Sequence, residues 1–379
     1  MPANTRIMLN TLFGTALFAA PGGLTGTANA EDSTWVQLFN GKDMSDWDIK
    51  FKGQALNVNY KNTFKVVDGA LSVDYSGWTG FNGEFGHAIN KTKPYSYYLL
   101  RAEIQVGDKQ VSGGPGWAVQ NNGLMLHSQS MASMNTDQDF PISLETQLLG
   151  SGNSNGNTMN VCTPGTAFYK TLTGGSVFTT HCDNATGATK PAPGVWAWVS
   201  VSVMGDSIIR HYNQKSPTGT PVYTYYRPVY WAGDILNPPK DAPANGTPLK
   251  SGYIAIQAET HPYKFRKIEL LDLEGCMDKN SPAYRTYFVK NNASLCAATA
   301  VGPDRKLPQG ADLRRQDGGF SFLAPEEGNL EITDASGRRV MESRLRAGDS
   351  RDIRLPQTGV YWVAWIRGAE KSLVKWANY

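Results

Sequence analysis

The feature that most constrains the fold is a long series of short strand-forming runs. Runs of β-branched and aromatic residues are separated by turn dipeptides such as Asp68-Gly69, Asn82-Gly83 and Gly205-Asp206. No long amphipathic helical pattern alternates with them, which argues against a parallel α/β sheet. The 39 glycines and 21 prolines among 379 residues supply the turns that antiparallel strands need. The sequence therefore predicts an all-β sandwich.

Four segments follow one another along the chain. Residues 1–30 begin with a positive charge, continue with an apolar run and end at Ala28-Asn29-Ala30, as in a secretory signal peptide; a disordered tail is the alternative. Residues 31–275 hold the predicted large sandwich. Residues 276–319 are a linker rich in Pro, Gly and Asn, and six short strand runs in 320–379 predict a second, smaller β-sandwich.

The signal segment indicates the compartment in which the protein acts, and the charge balance limits the classes of partner that it can bind. Export predicts a periplasmic, cell-surface or secreted protein. No run of 18 apolar residues occurs, so no transmembrane helix is expected. The 36 Lys and Arg residues are scattered and nearly balanced by 33 Asp and Glu, which argues against a nucleic-acid partner.

The four cysteines form two local pairs in sequence. Cys162 and Cys182 are 20 residues apart, as are Cys276 and Cys296. In an exported protein this predicts two disulfides that each close a short loop, although four cysteines allow three pairings. Metal ligation is the weaker alternative because no CxxC spacing occurs. Neither a metal nor another cofactor is expected.

Alternation along the predicted strands places an unusual polar set on one sheet face. This set mixes imidazole, amide and carboxylate groups without Lys or Thr, and it comprises His127, Gln129, Glu145, Gln147, Gln257 and Glu259. Such groups can pair with the hydroxyls of a sugar, whose ring faces stack on aromatic side chains. A solvated face is the alternative. For Arg101, Glu103 and Gln105 the solvated face is the preferred interpretation.

Sequence motifs of other chemistries are missing. There is no G-x-S-x-G, H-E-x-x-H, P-loop or EF-hand pattern, and no E-x-D-x-x-E glucanase signature. A structurally hydrogen-bonded imidazole is the simpler interpretation of any single histidine, and His211 is expected at the surface. Acid–base pairing with a carboxylate favours His127 and His261 as functional histidines.

Ordered motifs across residues 35–273 carry a family resemblance. Residues 35–47 (WVQLFNGKDMSDW) resemble the opening LFNGKDLSGW signature of the 3-keto-disaccharide hydrolase domain family. Further matches follow in order at residues 85–87, 115–117, 122–127, 137–141, 144–150, 162–166, 180–182, 252–262 and 265–273. The resemblance implies a concanavalin-like jelly roll that hydrolyses glycosides oxidised at C3.

On the matched positions, residue roles follow from the chemistry that the resemblance implies. Such a reaction needs a base, an acid for the leaving oxygen and a donor to the enolate. Glu145 is the leading base or acid, and His127 is the candidate for protonating the leaving group or holding the enolate. Glu259 and His261 form a second catalytic pair. The remaining candidates are expected to bind substrate, and they are Gln147, Gln257, His87, Asp139 and Trp117.

Two other functions remain open. A lectin-like module would bind glycans without turnover, with Trp117, Trp196 and Trp198 as its platform. An ordinary glycosidase would act on unoxidised sugar. If the substrate is a 3-keto-glycoside, an upstream sugar 3-oxidoreductase must supply it. Residues 320–379 resemble C-terminal sorting sandwiches of exported bacterial proteins, and a structural or carbohydrate-associated domain is the alternative.

Overall fold

The structure, a computed structural model, covers most of the chain after the predicted signal segment. It describes residues 35–379 apart from 234, 280, 282, 298–307, 309, 317, 335–336, 357–358, 369 and 379. The predicted signal peptide, residues 1–30, lies outside the described residues. Within the described part, no helix has the length and apolarity to cross a membrane.

Strands dominate the described chain. In chain order they are β1 (Val36–Gln37), β2 (Trp47–Phe51), β3 (Phe64–Val67), β4 (Ala70–Val73), β5 (Gly86–Tyr95), β6 (Tyr97–Val106), β7 (Asn121–Ser128), β8 (Leu144–Leu149), β9 (Val161–Cys162), β10 (Thr166–Tyr169), β11 (Val177–Phe178), β12 (Cys182–Asp183), β13 (Trp196–Met204), β14 (Ile208–Tyr212), β15 (Tyr223–Tyr230), β16 (Gly252–Ala258), β17 (Tyr263–Asp272), β18 (Glu274–Gly275), β19 (Lys290–Asn291), β20 (Asp312–Gln316), β21 (Gly319–Leu323), β22 (Gly328–Asp334), β23 (Arg339–Leu345), β24 (Ser350–Arg354), β25 (Gly359–Arg367) and β26 (Glu370–Asn378). A short α-helix, α1, spans Ala293–Ala297, and 3-10 turns span Tyr60–Asn62, Gly116–Ala118 and Met131–Ser133.

Two large antiparallel sheets form the sandwich. The ten-stranded sheet has the order β11-β10-β15-β14-β13-β6-β17-β4-β3, with β1 paired to β17. The seven-stranded sheet has the order β12-β9-β8-β7-β16-β5-β2. The prediction of an all-β, concanavalin-like sandwich is therefore confirmed.

Alternation explains why the two sheets bury a common core. Along β6 every second residue is buried, from Tyr98 through Leu100 to Val106. These side chains pack in one apolar cluster with residues of the other sheet, such as Leu124 and Ile256. Burial of each large aliphatic side chain contributes roughly 1.5–3 kcal/mol, so this cluster holds the sheets together.

The outer face of the seven-stranded sheet is also covered, at one end. Met131 and Met134 of the loop after β7 pack on Met125 and Ala255. The buried Lys50 Nζ on β2 secures the same loop by donating to the main-chain oxygens of Phe51, Gln54 and Thr136 at 2.6–2.9 Å. All eight residues of β7 are consequently buried, which is unusual for a sheet with one solvated face.

Both predicted disulfides are present. Cys162 bonds to Cys182, which joins β9 to β12, and Cys276 bonds to Cys296, which ties helix α1 to the segment after β18. The alternative pairings are thereby excluded. A closed loop of this length stabilises the folded chain by about 3 kcal/mol on the loop-entropy account.

Two smaller sheets follow at the C-terminus, of three strands (β20-β21-β24) and four strands (β23-β22-β25-β26). They share an apolar core in which Phe322 packs on Trp365, with ring centroids 5.1 Å apart. The six strand runs predicted after residue 320 are confirmed. Strand β20 was missed, so the strands begin at Asp312, within the segment predicted as linker.

Candidate active site

Glu145 and Gln257 lie side by side on the outer face of the seven-stranded sheet. Glu145 on β8 pairs with Met125 on β7, and Gln257 on β16 pairs with His87 on β5. Between them on β7 is Gly123. A Cβ at this glycine would lie 2.5 Å from Glu145 Oε1 and 2.8 Å from Gln257 Oε1. Only glycine leaves room for both side chains, which converge over its backbone.

Half of the buried side-chain polar atoms without a hydrogen-bond partner among the described residues belong to five residues at and near this pair. These atoms are both ring nitrogens of His87, both amide atoms of Asn121, Glu145 Oε1, both amide atoms of Gln257 and Glu259 Oε2. Leaving a buried polar group unpaired costs about 1–3 kcal/mol, so native structures rarely collect several in one place. A polar ligand such as a sugar would satisfy them.

The two carboxyl groups, Glu145 and Glu259, hold their protons unusually tightly. Burial raises the pKa of Glu145 to about 7, and a nearby positive charge on His181 together with the adjacent Gln257 amide partly offsets that rise. Burial and repulsion from Glu145 raise the pKa of Glu259 well above its ordinary value. At neutral pH the pair therefore holds a proton on Glu259 while Glu145 titrates, which suits an acid and a base working together.

The sequence did not single out His181 as a member of this site. Cys162 pairs with both Glu145 and Cys182 across the ladder, so the disulfide positions the residue that precedes Cys182 two strands from Glu145. Thr163 fixes the main chain of His181, because its N–H and its hydroxyl both donate to the His181 carbonyl, at 2.8 and 3.0 Å. Its ring nitrogen and both sulfurs lie within 4.8 Å of one another. Because the sulfurs are joined in a disulfide, they are not thiolate ligands for a metal.

His87 presents a neutral imidazole to the site. Burial lowers its pKa to about 3, so one ring nitrogen donates and the other accepts at neutral pH. The Phe140 ring packs edge-on against it, with centroids 5.4 Å apart. Asp139, which is expected to bind substrate, accepts hydrogen bonds from the main-chain N–H groups of Phe140 and Leu236, at 2.9 and 3.0 Å. It positions Phe140 by joining two loops.

His127 is not on the face predicted for it. Strand β7 carries an extra residue opposite Tyr253 and Ala255, and His127 has a φ of 50° at this bulge. Its side chain therefore turns toward the core, where Nε2 donates to the Gly205 carbonyl at 3.1 Å and the ring packs on Tyr98. Burial lowers its pKa to about 4. The structure does not bring it to Glu145.

His261 and His211 also have structural surroundings. Thr260, with φ at 83°, turns the chain after Glu259, and His261 Nε2 donates to the carbonyl of Gly107 at the end of β6. The described contacts of His261 do not include Glu259. His211, expected at the surface, is fully buried and bonds through Nε2 to the Thr146 hydroxyl at 3.1 Å.

The remaining predicted binding residues divide between two faces. Gln147 pairs with Gly123 and is half-buried beside the carboxyl pair. Trp117 is 45% exposed and stacks on Phe85. Trp196 and Trp198, the other members of the proposed lectin platform, lie on β13 of the ten-stranded sheet beneath arginine side chains. The three tryptophans do not form one platform.

These features define a lectin-like β-sandwich that carries a buried carboxyl pair and unpaired polar groups on one outer face. The chain belongs to the family of 3-keto-alpha-glucoside-1,2-lyase-like domains, whose model it matches over residues 34–271. A search of curated proteins found no match.

Several solved structures are similar in fold. A candidate glycosyl hydrolase from Parabacteroides distasonis has 17% identity and a TM-score of 0.39, covering 65% of this chain and 97% of its own. A protein with a galectin-like fold from Bacillus subtilis has 10% identity and a TM-score of 0.35, covering 63% and 94%. A glycosyl hydrolase family protein from Mycobacterium fortuitum has 9% identity and a TM-score of 0.32, covering 62% and 98%.

Proposed function

We propose that this chain cleaves glycosides oxidised at C3, by elimination followed by hydration. The observation that carries the proposal is the buried pair Glu145 and Glu259, whose raised pKa values supply a base and an acid on one sheet face. Family membership supports the 3-keto-glucoside as the substrate class. The unpaired polar atoms around the pair support a polyhydroxylated ligand.

The C3 ketone is what makes this chemistry accessible to carboxyl groups. It acidifies the C2–H bond, so Glu145 removes that proton and the electron pair forms the C1–C2 double bond. The C1–O bond breaks, and Glu259 gives its proton to the leaving oxygen. Water then adds at C1 and passes a proton to Glu259, while Glu145 exchanges its proton with water and gives a proton back to C2. The net reaction is hydrolysis, and both carboxyl groups recover their starting state.

Charge that develops on the C3 oxygen needs a preorganised donor. His87 and Gln257 are cross-strand neighbours, and each has an unpaired buried donor in the described structure. We assign the C3 oxygen to this pair, a role that the sequence had suggested for His127. Asn121 and Gln147 remain for the sugar hydroxyls, because their amides offer both donors and acceptors.

The proposed substrate and the disulfides place the protein in a wider setting. A 3-keto-glycoside arises only by oxidation of a secondary alcohol, so a sugar 3-oxidoreductase must act upstream. Two disulfides are typical of proteins outside the reducing cytoplasm. We therefore propose an exported enzyme that acts in the periplasm, at the cell surface or outside the cell.

A pair of substrates tests the proposal. The purified chain is assayed with methyl 3-keto-α-glucoside and with methyl α-glucoside, and sugar release is followed. We expect turnover of the keto form alone, because the unoxidised sugar has no acidic C2–H bond. Equal turnover of both would establish an ordinary glycosidase. Saturable binding of either compound without turnover would establish a lectin-like module, and both outcomes contradict the proposal.

A further inference from the structure

A row of aromatic side chains extends from the polar site to the surface. From His87 outward, ring centroids are 5.4 Å apart to Phe140, 5.0 Å from there to Phe85 and 5.9 Å from Phe85 to Trp117. Phe85 and Phe140 are half-buried, whereas Trp117 at the outer end is 45% exposed. The row therefore presents a continuous, partly accessible apolar wall.

The row begins beside the proton donor. Gly86 and Ala258 form the last pair of the β5–β16 ladder. Phe85 immediately precedes β5 and Glu259 immediately follows β16, so the two residues lie next to each other beyond this pair. Phe85 shares with His87 its contact to Phe140, which places both rings on the outer face. A leaving group protonated by Glu259 would therefore lie against Phe85 and continue toward Trp117.

Three amide side chains near the outer end already donate hydrogen bonds within the protein. Asn153 Nδ2 donates to the carbonyls of Trp117 and Val119, and Asn155 Nδ2 donates to the Gly116 carbonyl. Gln110 Nε2 likewise donates to the Pro115 carbonyl and the Thr260 hydroxyl. A second sugar would need free donors and acceptors beside the stacking surface. A flat apolar group needs only the rings.

We infer that this row is the leaving-group subsite and that it takes the aromatic aglycone of an aryl or arylalkyl 3-keto-glycoside. The inference rests on the proposed function for the reaction itself. It adds the substrate class that the sugar-binding groups alone do not specify. Trp117 and Phe85 provide stacking surface for the aglycone, and Phe140 joins that surface to His87.

Benzyl and methyl 3-keto-α-glucosides test the inference, because the two leaving alcohols differ little in acidity and only benzyl carries a ring. We expect kcat/KM to favour benzyl by about tenfold, chiefly through KM, in line with the energy of one well-formed aromatic contact. Trp117→Ala should bring the benzyl-to-methyl ratio of kcat/KM close to one. Phe85→Leu, which removes the ring but leaves an apolar side chain of similar size, should reduce this ratio. Trp198→Ala, on the other sheet, should keep the wild-type ratio.

Each other outcome decides a separate point. An unchanged ratio in Trp117→Ala overturns the subsite while leaving the proposed reaction intact. Loss of turnover on a 3-keto-disaccharide in Trp117→Ala, with the benzyl preference kept, shows that the row binds a second sugar and overturns the aromatic assignment. If the wild type cleaves neither compound, the proposed function fails, and calorimetric binding of benzyl against methyl 3-keto-glucoside to the full chain then tests the row by itself.

Discussion

The two outer faces of the sandwich have similar sequence patterns, but they differ in whether their polar side chains find partners within the protein. On the ten-stranded sheet, Arg266 Nε lies 2.7 Å from Glu103 Oε2, and Arg101 pairs with Glu269. On the seven-stranded sheet, the buried Oε1 atom of Glu145 and both amide atoms of Gln257 have no hydrogen-bond partner among the described residues. Both faces alternate charged and amide residues with core residues. Among the described residues, only the seven-stranded face leaves buried carboxyl and amide groups without a partner.

This contrast shows what separates a structural polar face from a candidate active site. Ion pairs and cations over tryptophan rings, such as Arg266 over Trp196 at 4.0 Å, satisfy the first face from within the protein. The second face keeps its hydrogen-bonding capacity at a cost in stability, which is expected where a ligand supplies the missing partners.

Exchanging a carboxylate on each face gives the largest expected difference. Glu145→Gln should lower kcat on methyl 3-keto-α-glucoside by roughly 10²–10⁴-fold, because positioned proton transfer contributes that much. Substrate binding should persist, since the amide keeps the shape of the side chain. Glu103→Gln is the matched control and should keep wild-type turnover. Equal activity in the two variants would remove the distinction between the faces.

A single methyl group should disturb the polar cluster almost as strongly. The Cβ in Gly123→Ala would collide with both Glu145 and Gln257, and a displacement of about 1 Å in a catalytic group can cost 10²-fold in rate. Gly80→Ala is the control, because its Cβ would meet only the Ser112 carbonyl, at 3.8 Å. Circular dichroism on both variants checks the fold. Full activity in Gly123→Ala would contradict the convergence of the two side chains.

The buried carboxyl should also make stability depend on pH. The folded chain raises the pKa of Glu145 from 4.5 to about 7, so the folded state holds a proton that the unfolded chain releases in this window. The free energy of unfolding therefore falls as pH rises between these values, by about 3 kcal/mol for a shift of this size. Glu145→Gln should be more stable than the wild type near pH 8 and should lose this advantage near pH 4. Urea unfolding at both pH values measures the difference, and a pH-independent gap would contradict the raised pKa.

The smallest expected effect is on the pH–rate profile. His181 lowers the pKa of Glu145, so His181→Gln should move the acidic limb of kcat/KM to higher pH, and His181→Lys should move it back. Replacing Cys162 and Cys182 by Ala should cause a similar shift, since the disulfide positions His181. Replacing Cys276 and Cys296 by Ala should reduce stability and leave the limb in place. Identical profiles in both double variants would remove His181 from the site.

The sequence predicts which residues share a face of a regular strand, but it does not predict contacts that depend on bulges or on the pairing of distant strands. Alternation on regular strands placed Glu145 and Gln257 in one polar set on a sheet face. It placed Arg101 on a solvated face, and it did not predict the ion pair that Arg101 forms there with Glu269. Alternation gave the wrong face for His127, because a β-bulge reverses the direction of this side chain. No residue type near the bulge indicates its presence in the sequence. Alternation passed over His181, since only the pairing of β9 with β12 brings that residue to Glu145.

The most direct test of the account follows the hydrogen at C2. Methyl 3-keto-α-glucoside carrying deuterium at C2 is mixed with the unlabelled compound, and the two are allowed to compete for the enzyme in ordinary water. If Glu145 removes this hydrogen, the labelled sugar reacts more slowly and label passes from C2 to the solvent faster than in an enzyme-free control. Equal consumption of the two compounds, with the deuterium retained in the released sugar, would contradict the elimination and the role of the carboxyl pair.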